Sequence, residues 1–304
     1  MNFINYNQAP VKKIAISNGL KVESFITSED SNLDKDTVDS FGEEWSKFKA
    51  FTQDEINIAG DQYFDIVDEK ILNRESVVLD LGCGSGRWTK YIAKKVKLVE
   101  AVDPSSAIYS SIKLNEDETN VRVTQASVSN IPFKDETFDF VVCLGVLHHI
   151  PNTQQALIDV VKKLKKGGAI LLYLYYSLDN RGPIYRLIFK ISTFFRLLIS
   201  KFPETLKKLT CDLIAFLIYY PLVLITKVFY LFFGKKRWIQ KIPLSYYADK
   251  SIHIIRNDAL DRFGTPLEQR FSKEEIIKMM EKVGLSNLTF SENEPYWHMT
   301  GVKG

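Results

Sequence analysis

Two adjacent histidines, His148 and His149, follow the apolar run Phe138-Asp139-Phe140-Val141-Val142-Cys143 and the short connection Leu144-Gly145-Val146-Leu147. Imidazole is the side chain that exchanges a proton near neutral pH without special tuning, so either is a candidate general base. Adjacent residues point in different directions, so one at most faces a reacting group and the other packs. A second chemical cluster lies upstream, where the apolar run Val77-Val78-Leu79 meets Asp80-Leu81-Gly82-Cys83-Gly84-Ser85-Gly86-Arg87. Glycines at alternate positions let a backbone turn sharply at the end of a buried strand and approach a ligand with no Cβ in the way. A dinucleotide fingerprint needs glycine where Arg87 stands, so a pyrophosphate is excluded. The pattern leaves room for an amino-acid tail. A further apolar run, Leu98 to Val102, ends in Asp103, whose carboxylate suits the two hydroxyls of a ribose.

A third apolar stretch, Val121 to Thr124, leads into Ala126-Ser127-Val128-Ser129-Asn130-Ile131-Pro132-Phe133. With these four strand ends together, the chain resembles the class I S-adenosylmethionine-dependent methyltransferases of the broad type 11 group, over about Ser76 to Ser177 and again from Phe271 to the C-terminus. The resemblance implies S-adenosylmethionine as cofactor, held by Asp80, Gly82, Cys83, Gly84, Gly86, Arg87, Asp103, Ser127, Val128 and Leu144; the place of His148 and His149 after the fourth strand makes one of them the candidate catalytic base. Members of the group commonly carry Asp where Ser127 stands, so here the adenine amino group is met more weakly or by backbone carbonyls. The connection Leu144-Gly145-Val146 lacks the Pro-Pro-aromatic signature of nucleic-acid amino-methylating enzymes, so no nucleic-acid partner is expected.

The elements that must carry these residues alternate between strand and helix. Ser105 to Leu114 and Thr153 to Leu164 read as crossover helices, and Gly167-Gly168 reads as ending the second before a strand from Ala169 to Tyr176. Right-handed crossovers place the strand C-termini on one edge. The fold class is therefore α/β, and the resemblance implies a Rossmann-like seven-stranded methyltransferase sheet with helices on both faces, here with a large helical insertion after the fifth strand. The last helix opens on Ser272-Lys273-Glu274-Glu275, a capping box, and ends at Gly284. Two closing strands are expected at Ser286–Ser291 and Trp297–Val302. Residues 1–40 read as a hairpin about Asn18-Gly19 and an acidic linker. Residues 41–75 read as a helical lid with Trp45 and Tyr63 facing the cofactor. Residues 76–177 with 271–304 form the methyltransferase domain, and 178–270 the insertion.

Net charge is only +3, yet between Pro183 and Lys241 eleven Lys or Arg face only Glu204 and Asp212, so the positive charge is concentrated. Ile184 to Phe202 reads as a basic amphipathic helix, and Leu213 to Phe233 carries Lys227 as its only charge. A single membrane span is excluded, because strands before and after the insertion share one sheet. The insertion is read as a cap for acceptor recognition, with peripheral contact to anionic lipid. Three scattered cysteines show no metal-ligand or disulfide spacing, and Met1 to Pro10 lacks the order of a secretory signal, so a cytoplasmic enzyme is expected. Tyr175, Tyr176, Asp179, Asn180 and Arg181, with Asp258 and Arg262 beyond the insertion, are candidates to grip a hydroxylated acceptor. The leading reading is O-methylation of a glycan, a lipid-linked or phosphate-bearing sugar, or a related small metabolite. C-methylation of a membrane quinone and a non-catalytic binding module are the alternatives.

Overall fold

An N-terminal hairpin of β1 (Lys12–Ala15) and β2 (Lys21–Ser24) precedes helices α1 (Lys35–Lys47) and α2 (Gln53–Tyr63). There follow β3 (Val77–Leu81), α3 (Arg87–Ala93), β4 (Leu98–Asp103), α4 (Ile108–Leu114), β5 (Val121–Gln125), β6 (Phe138–Leu144), α5 (Thr153–Lys163) and β7 (Leu164–Tyr173). Helices α6 (Pro183–Ile199), α7 (Glu204–Ile214), α8 (Tyr220–Phe233) and α9 (Ile252–Gly264) come next, then α10 (Lys273–Lys282), β8 (Leu285–Phe290) and β9 (His298–Lys303). The computed structural model describes residues 3–16, 21–47, 52–179, 182–236, 238–239 and 242–304, with backbone alone at 43–47, 184 and 253. The Asn18-Gly19 turn, Asn180 and Arg181 lie outside the described residues, and for Trp45 only the backbone is described. The chain divides into two units, Met1–Asp179 with Leu267–Gly304, and Asn180–Pro266.

The first unit is one nine-stranded sheet in the order β1-β2-β5-β4-β3-β6-β7-β9-β8. Seven of these strands are the expected set, and the hairpin adds two more, through a parallel pairing of Ser24 with Gln125. The inner strands β3 and β4 are almost wholly buried, because both faces are covered. Their register aligns Leu81 with Val102, Asp103 with Gln125, and Leu144 with Tyr173. One edge of the sheet therefore presents the residues singled out for chemistry.

Three local expectations change. Gly167 and Gly168 do not end a helix: α5 stops at Lys163 and the chain passes directly into β7. Gly167 has a φ of 75°, and a Cβ on Gly168 would stand 3.0 Å from the carbonyl oxygen of Asp139, so the pair serves an irregularity in the β6–β7 ladder. The expected single helical stretch from Phe41 to Leu72 is two helices. The first starts earlier, at Lys35, because the Asp34 carboxylate accepts the Thr37 N–H at 2.9 Å. The second packs flat on α3, with Gly60 against the Tyr91 ring and Tyr63 among Trp88, Tyr173 and His298. Tyr63 is thus half-buried and packed against the core of the sheet face.

The N-terminal arm is tied to the sheet by a buried ion pair. Arg122 Nε and Nη2 each donate at 2.8 Å to the two carboxylate oxygens of Glu100, and the guanidinium lies 4.1 Å over the Tyr6 ring. Glu100 Oε1 also accepts the Ile4 N–H at 3.3 Å, and burial pushes the carboxyl up to about 7.

The second unit is helical. α7 runs through a π-turn, Ala215–Tyr219, directly into α8. The wide turn accommodates Pro221, which has no N–H to give to a regular ladder. Cys211, Ala215, Tyr219 and Val223 form one stripe of this helix and pack with Ile255, Ala259 and Phe263 of α9. A fork between Arg256 and Asp212, two contacts of 2.7 Å, joins the same helices.

Arg122→Ala strands a buried carboxylate and is expected to cost about 3–5 kcal/mol in urea unfolding. The double variant Glu100→Gln/Arg122→Ala is expected to recover part of that loss.

Candidate functional site

The bend after β3 is crowded on two sides. Gly82, Gly84 and Gly86 have φ of 70°, 52° and 83°, and the N–H groups of Gly82 and Cys83 both donate to Val102 O, at 2.7 and 3.1 Å. A Cβ on Gly82 would stand 2.3 Å from Val146 Cγ2, and one on Gly86 would stand 2.4 Å from Ser111 Oγ. Asn115 Nδ2 donates to Gly86 O at 3.1 Å. Two of the three glycines are therefore needed by the protein's own packing as well as by any ligand, and the turn carrying the histidines is held directly against the bend.

Asp103 closes the bend from the next strand. Its Oδ2 accepts the Gly84 N–H at 2.9 Å, and its Oδ1 accepts the N–H and hydroxyl of Ser105 at 2.8 and 2.6 Å. A carboxylate offers about four acceptor positions, so one remains for a ligand hydroxyl. The expectation that Asp103 serves both ribose hydroxyls is thereby reduced to one. Burial raises its pKa against these three hydrogen bonds. Asp80 is buried beneath the bend, accepts the Thr89 hydroxyl at 2.5 Å, and is pushed up to about 7, first by burial and then by the charge of Asp103. A Cβ-free bend beside a carboxylate with one open acceptor position fits the nucleoside end of S-adenosylmethionine.

The other residues expected at the cofactor sit as follows. Cys83 is buried, its thiol pushed well above its ordinary pKa by burial and set 3.7 Å from Ser111 Oγ. Arg87 opens α3 with its guanidinium 4.3 Å over the Trp88 ring. Ser127 and Val128 are buried at the turn after β5, with Ser127 Oγ 3.1 Å from Ser129 Oγ. Leu144 ends β6 opposite Tyr173.

The two histidines differ in tautomer. His149 Nδ1 lies 2.7 Å from Leu267 O, so it carries the proton and Nε2 is the acceptor nitrogen. His148 Nδ1 instead accepts the Tyr175 N–H at 3.3 Å, so its Nε2 carries the proton. That Nε2 is buried with no hydrogen-bond partner among the described residues. Burial, with His149 and Arg270 nearby, holds His148 well below its ordinary pKa, hence neutral. The Tyr175 ring stacks on His148 at 3.8 Å, and Phe41 of α1 meets His149 edge-on at 4.7 Å. Helix α1 also meets the turn after β4, with Gly42 against Ser106.

Sequence reasoning missed the strap Leu267–Phe271. Gln269 N–H donates to His148 O, Phe271 N–H to Tyr175 O, and Ser177 N–H to Phe271 O, each at 2.9 Å. Alternate residues therefore face opposite ways. Gln269 turns toward Ile150 O, whereas Glu268 pairs with Arg270 at 2.7 Å and Arg270 lies 5.0 Å over the Tyr175 ring. Glu268 Oε2 is a second buried polar atom without a partner among the described residues. The only signal in the sequence was Glu-Gln-Arg between Pro266 and Phe271, a charged-polar alternation too short to read.

Several expected acceptor residues are committed elsewhere. Asp179 accepts the Lys273 N–H at 3.0 Å and Trp297 Nε1–H at 3.2 Å, so its carboxylate anchors α10 and β9. Tyr176 turns away from Tyr175 and packs against Tyr296 and Trp297. Asp258 and Arg262 belong to the second unit, where Asp258 takes the Tyr247 hydroxyl and Arg262 lies 4.7 Å over the Phe189 ring. Among the described acceptor candidates of the first unit, Tyr175 alone is brought beside the histidines.

Residues 79–172 match the family model described as a methyltransferase domain. A ubiquinone biosynthesis O-methyltransferase of Coxiella burnetii is 28% identical over 168 residues, 52% of this chain and 67% of the relative. An uncharacterized methyltransferase of Bacillus subtilis is 30% identical over 110 residues, 35% of this chain and 43% of the relative. Among solved structures, a SAM-dependent methyltransferase from Aquifex aeolicus is 24% identical with a TM-score of 0.34, over 44% of this chain and 79% of that one.

Asp103→Ala is expected to weaken S-adenosylhomocysteine binding about 10- to 100-fold by calorimetry, the worth of one charge-assisted hydrogen bond. For Asp80 the folded pKa is raised, so its contribution to stability is full below the ordinary carboxylate range and lost as pH rises through about 7. Thermal unfolding should accordingly show the wild type gaining on Asp80→Asn at pH 5 relative to pH 8; equal gaps at the two pH values would refute a protonated Asp80.

Proposed function

We propose that this chain, whose residues 79–172 form a class I S-adenosylmethionine-dependent methyltransferase domain of the type 11 group, transfers the methyl group to a hydroxyl of a small aromatic acceptor. The observation that carries the reading is the locked tautomer of His149. Leu267 O fixes the proton on Nδ1 and leaves Nε2 as the basic nitrogen. When bound, the cofactor supplies a methyl on a sulfonium sulfur, which departs as a neutral thioether. His149 Nε2 takes the hydroxyl proton as the oxygen forms its bond to the methyl carbon. His148, neutral and buried, packs on the His149 ring at 4.1 Å and holds it in place. Most of the acceleration comes from alignment, for which roughly 7–11 kcal/mol is available when reactants are held in register.

Support for an aromatic acceptor comes from the ring wall of Phe41, His148, His149 and Tyr175. The names of the Coxiella relatives, O-methyltransferases of ubiquinone biosynthesis, point the same way. The glycan reading loses one of its supports, since Asp179 is committed to Lys273 of α10 and to Trp297. We place the reaction in the cytoplasm, in keeping with three free, buried thiols.

The test supplies enzyme and isotopically labelled cofactor to simple catechols and to free sugars, and reads single-methyl mass gains. Gains on sugars alone would overturn the aromatic reading. His149→Ala is expected to lower kcat by about 10²- to 10⁴-fold with S-adenosylhomocysteine affinity unchanged. Equal loss of kcat and of affinity would remove the base assignment.

A further inference from the structure

The helix from Glu204 to Phe233 is 30 residues long and mostly uncovered, about 45 Å at the usual rise. One stripe of it, Cys211, Ala215, Tyr219 and Val223, is consumed by the second unit's own core. The opposite stripe is equally apolar and faces outward: Leu209, Leu213, Leu217, Leu224 and Leu231 are all exposed, with Leu217 at 71% and Leu231 at 82%. With Tyr220 and Val228, also exposed, between them, the steps of three and four residues make this a continuous ridge. Exposed apolar area on that scale marks an interaction surface.

Charge selects the occupant. From Leu213 to Phe233 there is no carboxylate, and Lys227 is exposed within the ridge, where its long stem can lift the ammonium toward water. Lys235 and Lys236 follow the helix directly and are exposed. Beside them Trp238, half exposed, packs on Phe229 and Phe233. Aromatic rings next to lysines at the end of an apolar helix are the arrangement that settles at the headgroup level of a bilayer. Exposed Arg186 and Lys190 on α6 add to the surplus. A second copy of this chain would bring like charges together, which costs free energy.

We propose that the outward ridge of the Glu204–Phe233 helix lies in the surface of a bilayer containing anionic lipid, with its apolar side chains among the acyl chains and its lysines among the headgroups. The proposal concerns the second unit alone and does not depend on which acceptor is methylated.

The full chain would be mixed with sucrose-loaded vesicles of phosphatidylcholine alone or with phosphatidylglycerol, and sedimented. Binding to the anionic vesicles at low salt, at least tenfold stronger than to phosphatidylcholine, is expected. The variant Leu217→Glu/Leu231→Glu should lose at least tenfold of it. Lys235→Glu/Lys236→Glu should lose the preference for anionic lipid, and both should retain S-adenosylhomocysteine binding as the check on folding. Failure to sediment with either vesicle, or a Leu217→Glu/Leu231→Glu variant that sediments as well as wild type, would overturn the proposal. So would a dimer in light scattering that this variant dissolves, which would assign the ridge to a second copy.

Discussion

Space around one backbone bend governs the first unit. Between β3 and α3 the chain must turn with left-handed φ at three alternate residues while Val146 presses from the neighbouring strand's turn and Ser111 from α4. Glycine alone satisfies both conditions, because any side chain would need an unfavourable φ and would occupy volume already filled. Where the bend is seated, the position of Asp103 beside Gly84 and of the histidine turn beside Gly82 follow from strand register.

The electrostatics around the bend follow from burial. Asp80, Asp103 and His148 are all withdrawn from water, and each is shifted toward its neutral form. Backbone and hydroxyl donors offset part of that for Asp103. The histidines are divided by their hydrogen-bond partners: a carbonyl at one ring and an N–H at the other give opposite tautomers to adjacent residues. A proton acceptor and a proton donor thus stand together with no net charge brought in by His148.

The alternation of strand and helix, the glycine bend, Asp103, the capping box on α10 and the helical nature of the insertion were legible in the sequence, because each rests on local spacing: apolar runs, alternate glycines, Ser-x-x-Glu. What was not legible depends on distant partners. Asp179 looked like a sugar-gripping residue until Trp297 and Lys273 claimed it. Tyr63 looked like a lid residue, but α2 packs on α3 through Gly60. The strap escaped notice because Glu268 and Arg270 gain meaning only when Gln269 and Phe271 pair with residues far back in the chain. Gly167 and Gly168 misled for a related reason: a glycine pair serves a strand irregularity as readily as a helix end.

The parallel bridge between Tyr176 and Phe271 sets the departure and return of the chain side by side, at roughly the 4.8 Å spacing of neighbouring strands. Everything from Asn180 to Pro266 is thus an excursion whose two ends are already joined by the first unit. Closing a longer or shorter excursion over such a gap changes the entropy by only about 0.6 kcal/mol per doubling of length. The bridge therefore sets little limit on how much chain runs out and back between Tyr176 and Phe271.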